Sequence, residues 1–514
     1  MKKFYITNSI AYTNAFPHIG FALETIQADV LARYHRILGE DVFFLTGTDE
    51  HGVKIAKAAR EKDKNPKNFV DEISEKFKEL KRILNLSNDD FIRTTDKKRH
   101  WPAVEKVWLK LKENGDIYKK KYKGLYCVGC EAFIKEKDLV NGKCPIHKKS
   151  LEVVEEENYF FKLSKYSKKI ENIIEREEIK IIPESKKNEI LSFIKQGVED
   201  VSCSRLKENL KWGIEVPGDD TQTIYVWMEA LVSYLSVLDY AENGDKLKKF
   251  WPADVHCVGK DIFRFHSLLW QAMLLSLKLE LPKTIFVHGF ITVGGEKMSK
   301  SLGNVIDPFE LVKKYGTDSV RYFLLREISP TEDGDFTYEK FEKRYNADLA
   351  KGLGNLVARV LTMAEKINLD SESQISRLAE DGPLRSRDSE ASESRRADSK
   401  FKTILKDIWQ KDKKALDKFK FNEALISIWE LISFCDRYIE RERPWETKES
   451  QKIVINNLLF ALKEIASLLQ PFLPETSEKI LNHLKILSTG RPASPKTASR
   501  GGQAKKGEIL FPRI

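Results

Sequence analysis

No stretch of this chain approaches the roughly 20 uninterrupted apolar residues that a membrane-spanning helix needs, so a helical bilayer protein is excluded. The first residues run straight into a β-type segment, without the charged head and apolar body of a secretory leader. Both absences lead to the expectation of a cytoplasmic, soluble protein with no membrane partner. Cysteine is scarce, and six among 514 residues do not make a disulfide framework. Cys203, Cys257 and Cys435 are scattered and read as reduced packing residues. Neither sign of charge dominates. Lys+Arg 88 against Asp+Glu 78 leaves +10, which fits a polyanionic partner without singling one out. The length excludes one ordinary domain and favours about three or four, and a hydrophobic content of 41% suffices for their cores.

What the chain does have is αβ alternation. Residues 1–114 alternate β-type runs (4–8, 41–46) with helical ones (22–38, 53–61, 69–84), the pattern of a parallel doubly wound sheet whose ligands sit at the strand ends. Between 115 and 219 the texture turns aromatic, lysine-rich and cysteine-bearing, which reads as an insertion. The alternation resumes over 220–337, with 224–227, 254–258 and 284–287 as strands and 229–238 and 263–277 as helices. From 338 to 487, apolar residues at spacing three and four predict an α-helical bundle over 338–367, 401–419, 422–442, 451–469 and 473–484. Two polar segments cannot offset their ordering entropy and are expected to be disordered: 370–400 inside the bundle and 488–507 in the final stretch 488–514. The returning apolar run Ile509-Leu510-Phe511 predicts that 507–514 docks as a last extended strand.

Three segments carry chemistry. Glu296-Lys297-Met298-Ser299-Lys300-Ser301-Leu302-Gly303-Asn304 sets two lysines three apart among small hydroxyl residues. Two ammonium groups on such a loop neutralise polyphosphate charge without a rigid cradle. Far upstream, Ala11-Tyr12-Thr13-Asn14-Ala15-Phe16-Pro17-His18-Ile19-Gly20-Phe21 leads from a β-type run into a helix. That puts His18 and the Gly20 backbone at a helix N-terminus, where phosphate is favoured. A lone pair of lysines is usually a solvated loop; the pairing of the two segments is far more specific. The third segment is Cys127-Val128-Gly129-Cys130, followed after thirteen residues by Cys144-Pro145-Ile146-His147. Two such knuckles supply a closed tetrahedral set, Cys127, Cys130, Cys144 and His147, which fits one structural zinc ion. A closed set leaves no position for a reacting water, so no catalytic role attaches to the metal.

The first two segments together resemble the paired signatures of class I aminoacyl-tRNA synthetases, with one departure: Phe21 stands where that family usually has a second histidine. Further runs narrow the likeness. Tyr5-Ile6-Thr7-Asn8-Ser9-Ile10-Ala11-Tyr12, Thr46-Gly47-Thr48-Asp49-Glu50-His51-Gly52 and the single knuckle resemble the methionyl-tRNA synthetase family. So do Tyr225-Val226-Trp227-Met228-Glu229-Ala230 with Tyr234, Val258-Gly259-Lys260-Asp261-Ile262-Phe263-Arg264-Phe265-His266, and Arg443-Pro444-Trp445. The resemblance covers nearly the whole chain outside the two polar segments. It implies an α/β, Rossmann-type doubly wound catalytic domain (1–114 and 220–337) split by a zinc-binding connective insertion (115–219). An α-helical anticodon-binding domain (338–487) and a basic tail with a terminal strand (488–514) follow. It further implies an ATP-dependent ligase acting on methionine, ATP with Mg, and tRNA(Met), the initiator included, and a monomer, because no appended dimerising module is present.

Residue roles follow from the same resemblance. His18, Lys297 and Lys300 are its catalytic residues, and ATP falls to His18, Gly20, Phe21, Lys260, Asp261, Lys297, Ser299, Lys300 and Ser301. Methionine falls to Ser9, Ile10, Tyr12, Asp49, Trp227, Ala230, Leu231, Tyr234, Ile262 and His266. Asp49 would pair with the substrate ammonium, and aromatic and aliphatic walls suit an unbranched, polarizable thioether. Leu231 stands where some members have Pro, and Ser9 where some have Ala. Asn355, Arg359 and Trp445 match the anticodon positions, where splayed bases stack on aromatics. Three alternatives stay open: a class I synthetase for another amino acid such as cysteine or valine, a small-molecule nucleotidylyltransferase, and a catalytically impaired tRNA-binding paralogue.

Overall fold

The structure is a computed structural model that describes residues 2–128, 132–134, 136–145, 148–298, 303–367, 399–446, 448–489 and 510–514. The chain forms two compact units. Met1–Ala28, Glu40–Arg82 and Ser87–His288 make the first; Asp29–Gly39, Ile83–Leu86 and Gly289–Ile514 make the second.

The first unit is built on a parallel sheet. Its strands run Ala11–Tyr12, Asp41–Asp49, Lys3–Asn8, Val255–Gly259, Thr284–His288 and Lys180–Ile182, and Asp90–Arg93 also pairs with Asp41–Asp49. Phe4, Tyr5, Ile6, Thr7 and Asn8 are all buried, as the central strand of a sheet covered on both faces requires. The helix Ile19–Ile37 follows from the stripe Ile19, Ala22, Leu23, Ile26 and Val30, every member of which is buried. Pro66–Ile83 starts at a proline, with the Asn65 side chain accepting the Lys67 N–H at 2.9 Å, and buries Phe69, Val70, Ile73, Phe77 and Leu80. Lys3–Asn8 has Asp41–Asp49 on one side and Val255–Gly259 on the other. The chain therefore leaves the sheet in opposite directions there, and a crevice opens at the carboxyl ends of those strands.

Two segments differ from the sequence expectation. Residues 224–227 are not a strand of this sheet. Ile224 ends Asp219–Ile224, which pairs antiparallel with Ser204–Leu206 and Glu215–Val216, and Val226–Ala230 is helical. Short apolar runs are buried in either state, so their pattern does not decide between them. Lys180–Ile182, within the 115–219 stretch, adds a parallel strand beside Thr284–His288. The rest of that stretch centres on the long hairpin of Ile117–Cys127 and Glu152–Phe161, in which Lys121 faces Glu157 and Lys123 faces Glu155.

In the second unit, Ile291–Val293 pairs with Glu296–Lys297 and Gly334–Phe336. Helices follow over Tyr338–Arg344, Tyr345–Gly354 and Asn355–Lys366, then Ser399–Leu416, Phe421–Glu442, Lys448–Leu469 and Pro474–Thr489. The buried Arg321 guanidinium pairs with Asp29 at 2.8 Å and donates to the carbonyls of Leu84, Pro471 and Phe472 at 2.7–3.0 Å. The last residues dock, though not as a strand. Tyr345 Oη donates to the Pro512 carbonyl at 2.9 Å, and Asn346 bonds both the N–H and the carbonyl of Ile514. Apart from their edges, the polar segments 370–400 and 488–507 lie outside the described residues. Among the described residues no helix is long and apolar enough to cross a membrane.

Candidate active site

The crevice of the first unit is lined from the strand ends outward. Ser9 leaves Lys3–Asn8 with its N–H donating to Glu24 Oε1 at 2.7 Å, and its hydroxyl also bonds that oxygen. The other oxygen of Glu24 meets His288 Nε2 at 2.7 Å. Ala11–Tyr12 pairs with Thr48 and Asp49, and the Thr13 N–H and hydroxyl both donate to the Asp49 carbonyl at 3.0 Å. Asp49 is thereby fixed, 4% exposed, at the carboxyl end of its strand. Gly47 allows this approach. A Cβ there would stand 2.3 Å from the Ile92 carbonyl oxygen and 3.0 Å from Ile10 Cγ2.

At the start of Ile19–Ile37, the Gly20 N–H donates to His18 Nδ1 at 3.1 Å. The neutral imidazole therefore carries its proton on Nε2, the nitrogen left to serve as a donor. His18 is exposed as a residue, yet desolvation by the surrounding protein lowers its pKa, opposed by the charge of Asp261. Phe21 is turned aside, its ring edge-on to Phe77 with centroids 5.0 Å apart. On the adjoining strand, Gly259 lets Asp261 fold back. A Cβ at 259 would meet Asp261 Oδ1 at 2.8 Å and His288 Nε2 at 3.6 Å. Lys260 is half-buried beside it.

Six of the residues assigned from sequence to the amino acid belong to or pack on one apolar core. Ile10, Tyr12, Trp227 and Ile262 are half-buried and rest on one core cluster that includes Leu231 and Tyr234. Ala230 and Leu231 are buried at 4% and 1%, and Trp227 stacks on Phe265 with centroids 3.9 Å apart. His266 Nδ1 lies 3.1 Å from the Ile262 carbonyl, which can only accept, so that nitrogen carries the proton. Nε2 then accepts from the Tyr234 hydroxyl at 2.7 Å. Burial pushes the His266 pKa down to about 4, with the Ile262 bond and Glu24 opposing it. His266 is thus neutral at physiological pH. Sequence reasoning gave no role to Glu24, His288, Glu50, His51 or Glu229. Glu24 carried a usable signal, since it is an acid next to Ala22, Leu23 and Ile26, which form the apolar stripe of its helix.

The chain is similar to known proteins. A family model described as tRNA synthetases class I (M) matches residues 4–152 and 134–361, and one described as the anticodon-binding domain of tRNA ligase matches 398–506. A methionine–tRNA ligase of Caldanaerobacter subterraneus subsp. tengcongensis is 45% identical over 100% of this chain and 79% of its own. One from Brucella suis is 39% identical over 100% and 98%. The chain belongs to the methionyl-tRNA synthetase family. A solved Mycobacterium tuberculosis methionyl-tRNA synthetase, in complex with methionyl-adenylate, superposes with a TM-score of 0.84 at 36% identity, covering 94% of each chain.

The remaining residues assigned from sequence lie elsewhere. Lys297 is exposed on a hairpin of the second unit that turns through Gly294 and Gly295, both at positive φ (61 and 80). Its ammonium sits 5.2 Å from the centre of the Phe290 ring. Ser299, Lys300 and Ser301 lie outside the described residues. Cys127 and Cys144 are 2% and 1% exposed, and the Lys148 N–H closes a turn onto the Cys144 carbonyl at 2.8 Å. Cys130 and His147 lie outside the described residues, and among those described no three potential ligands cluster. Ala358, Arg359, Thr362, Met363 and Trp445 line an open groove of about 360 Å³, with the Trp445 indole 57% exposed. Arg359 pairs with Glu440 at 2.6 Å, and Asn355 is exposed one turn earlier on the same helix.

Proposed function

We propose that this chain is a methionine–tRNA ligase that forms methionyl-adenylate from methionine and ATP and passes methionine to tRNA(Met), the initiator included. The observation that supports the reading is the packing of half-buried Ile10, Tyr12, Trp227 and Ile262 on one apolar core whose Tyr234 bonds a neutral His266, with Asp49 buried at the carboxyl end of its strand. Apolar walls with a few fixed polar groups suit a thioether side chain, and Asp49 answers its ammonium.

The methionine carboxylate is a nucleophile at neutral pH and needs no general base. It attacks the α-phosphorus of ATP in line; the bond to the bridging oxygen breaks, and pyrophosphate leaves with the electron pair. The protein positions the reactants and stabilises the charge. His18 donates from Nε2, the Gly20 end of the helix offers its backbone dipole, and Lys297 and Lys300 supply ammonium charge. Phe21, packed on Phe77, contributes no donor, so this work rests on His18 and the backbone. Gly259 lets Lys260 and Asp261 serve the nucleotide. Mg accompanying ATP neutralises phosphate charge. The terminal ribose hydroxyl of the tRNA then attacks the acyl carbon, and AMP leaves.

Cys127, Cys130, Cys144 and His147 are proposed to hold one structural zinc. Two thiols buried in a segment otherwise rich in Lys and Glu fit that role. Residues 1–114 and 220–337 are assigned to catalysis, 115–219 to the connective insertion, and 338–487 to the anticodon, read by Asn355, Arg359 and Trp445. The working form is a cytoplasmic monomer. The test is ATP–pyrophosphate exchange with each of the twenty amino acids, with magnesium and without tRNA. Exchange with methionine alone is expected. Exchange with another amino acid would overturn the pocket assignment, and none at all would leave a tRNA-binding paralogue.

A further inference from the structure

A second buried contact joins two segments that carry residues proposed for the amino acid, and the reaction above does not use it. His51 Nδ1 lies 2.8 and 3.0 Å from the two carboxylate oxygens of Glu229, across 178 residues of sequence. His51 is 2% exposed and Glu229 not at all. The imidazole is bracketed by Trp212 and Trp101, with centroids 5.4 and 6.1 Å away. His51 stands two residues beyond Asp49, and Glu229 sits on the short helix Val226–Ala230, between Trp227 and Ala230. The neighbouring acid is secured separately. Glu50 takes both arms of Arg93 at 2.6 and 2.9 Å and the Thr48 hydroxyl at 2.7 Å.

A five-residue helix has little stability of its own, since so few residues cannot repay the cost of nucleation. Val226, Met228 and Ala230 already bury their apolar surface, so packing alone gives position 229 no reason to be acidic. A buried carboxylate is costly unless a partner answers it in good geometry. Burial does raise the Glu229 pKa, and the imidazole beside it opposes the rise. What the contact gains in return is placement. It ties the segment carrying Asp49, proposed for the substrate ammonium, to the helix carrying Trp227 and Ala230, proposed for the substrate side chain.

We propose that His51 and Glu229 are a positioning pair that fixes the gap between these two walls, and so sets both methionine affinity and rejection of branched side chains. The inference rests on the amino-acid pocket proposed above. Neither residue touches the reacting atoms, so chemistry should survive when the pair is weakened while methionine binding should not.

The test uses the full chain in ATP–pyrophosphate exchange. Glu229→Gln keeps the shape and one hydrogen bond but removes the charge, and should raise the methionine KM about threefold. His51→Phe keeps a ring but removes the donor, and should raise it about tenfold or more. In both, kcat should hold within about twofold, the KM for ATP should not move, and preference for methionine over leucine should fall as the methionine KM rises. His51→Asn presents an amide donor near the same place and should restore most of the loss. If His51→Phe does not fold, Glu229→Gln decides alone. A parental methionine KM in Glu229→Gln would overturn the proposal, as would parallel losses in kcat and in the KM for ATP. Absence of exchange in the parent chain would instead remove the pocket assignment itself.

Discussion

Asp412 lies on the helix Ser399–Leu416, in the stripe Phe401, Leu405, Ile408, Asp412, Ala415, and is as buried as its apolar companions at 3% exposed. Its Oδ1 has no hydrogen-bond partner, and burial alone raises its pKa from 3.8 to about 8. A raised carboxyl pKa means that the folded state binds the proton more tightly than the unfolded state. Stability is therefore full below about pH 4 and falls as pH rises towards 8, where the folded form also ionises. At 1.36 kcal/mol per pKa unit the deficit is about 4 kcal/mol at pH 7 and about 6 at pH 8 and above. Asp412→Asn removes the titration while keeping the shape. It should leave stability near pH 4 unchanged and raise it increasingly between pH 5 and 8. Denaturant unfolding of parent and variant at pH 4, 6 and 8, followed by helical circular dichroism, measures this. A variant no more stable than the parent at pH 8 would mean that the Asp412 carboxylate is hydrated or paired in solution, and the reasoning would fail.

Tyr234→Phe takes the hydroxyl from His266 Nε2 and leaves a buried acceptor unanswered, a loss of about 1–3 kcal/mol; the methionine KM in exchange should rise about tenfold, and an unchanged value would remove this bond from the pocket. Gly47→Ala drives a Cβ to 2.3 Å from the Ile92 carbonyl oxygen, contact with rigid backbone. It should cost about 3 kcal/mol or more, read as a lowered Tm, and a parental Tm would show that the two strands can part cheaply. Trp445→Ala should cut tRNA charging about tenfold and spare pyrophosphate exchange, since base stacking on an aromatic contributes about 1–3 kcal/mol; equal charging would take Trp445 out of the anticodon site.

What the sequence made legible was local. A strand, a turn with His18 and Gly20, and an amphipathic helix can be recognised within about 35 residues, because their periods and turn chemistry are short-ranged. The helices of the second unit were legible for the same reason. The partners of buried polar groups were not. Glu24 meets His288, and His51 meets Glu229, across 264 and 178 residues, and no local pattern encodes such distances. Lys180–Ile182 was missed because three residues at the edge of a sheet give too short a signal to stand out from an insertion. Phe21 read as a departure in a phosphate signature, and only Phe77, from another helix, shows that its ring fills an apolar contact.

The buried histidines His256 and His266 are held polar and uncharged. Trp270 Nε1 donates to His256 Nε2 at 3.2 Å, so Nδ1 carries the proton towards the Thr7 hydroxyl at 2.8 Å. His266 is fixed the same way between Ile262 and Tyr234, and the Tyr5 hydroxyl donates to the Tyr234 carbonyl at 2.8 Å. Burial holds His256 far below its ordinary pKa, His266 at about 4 and His100 at about 3. The His256 and His266 protons therefore each have one assigned seat across the physiological range. A cation at any of these positions would repel the substrate ammonium and carry a large desolvation penalty. With these histidines neutral, the charged groups proposed for the substrates, Asp49 for the ammonium and the helix end at His18 for phosphate, stand at the carboxyl ends of the strands, where the doubly wound sheet opens its crevice.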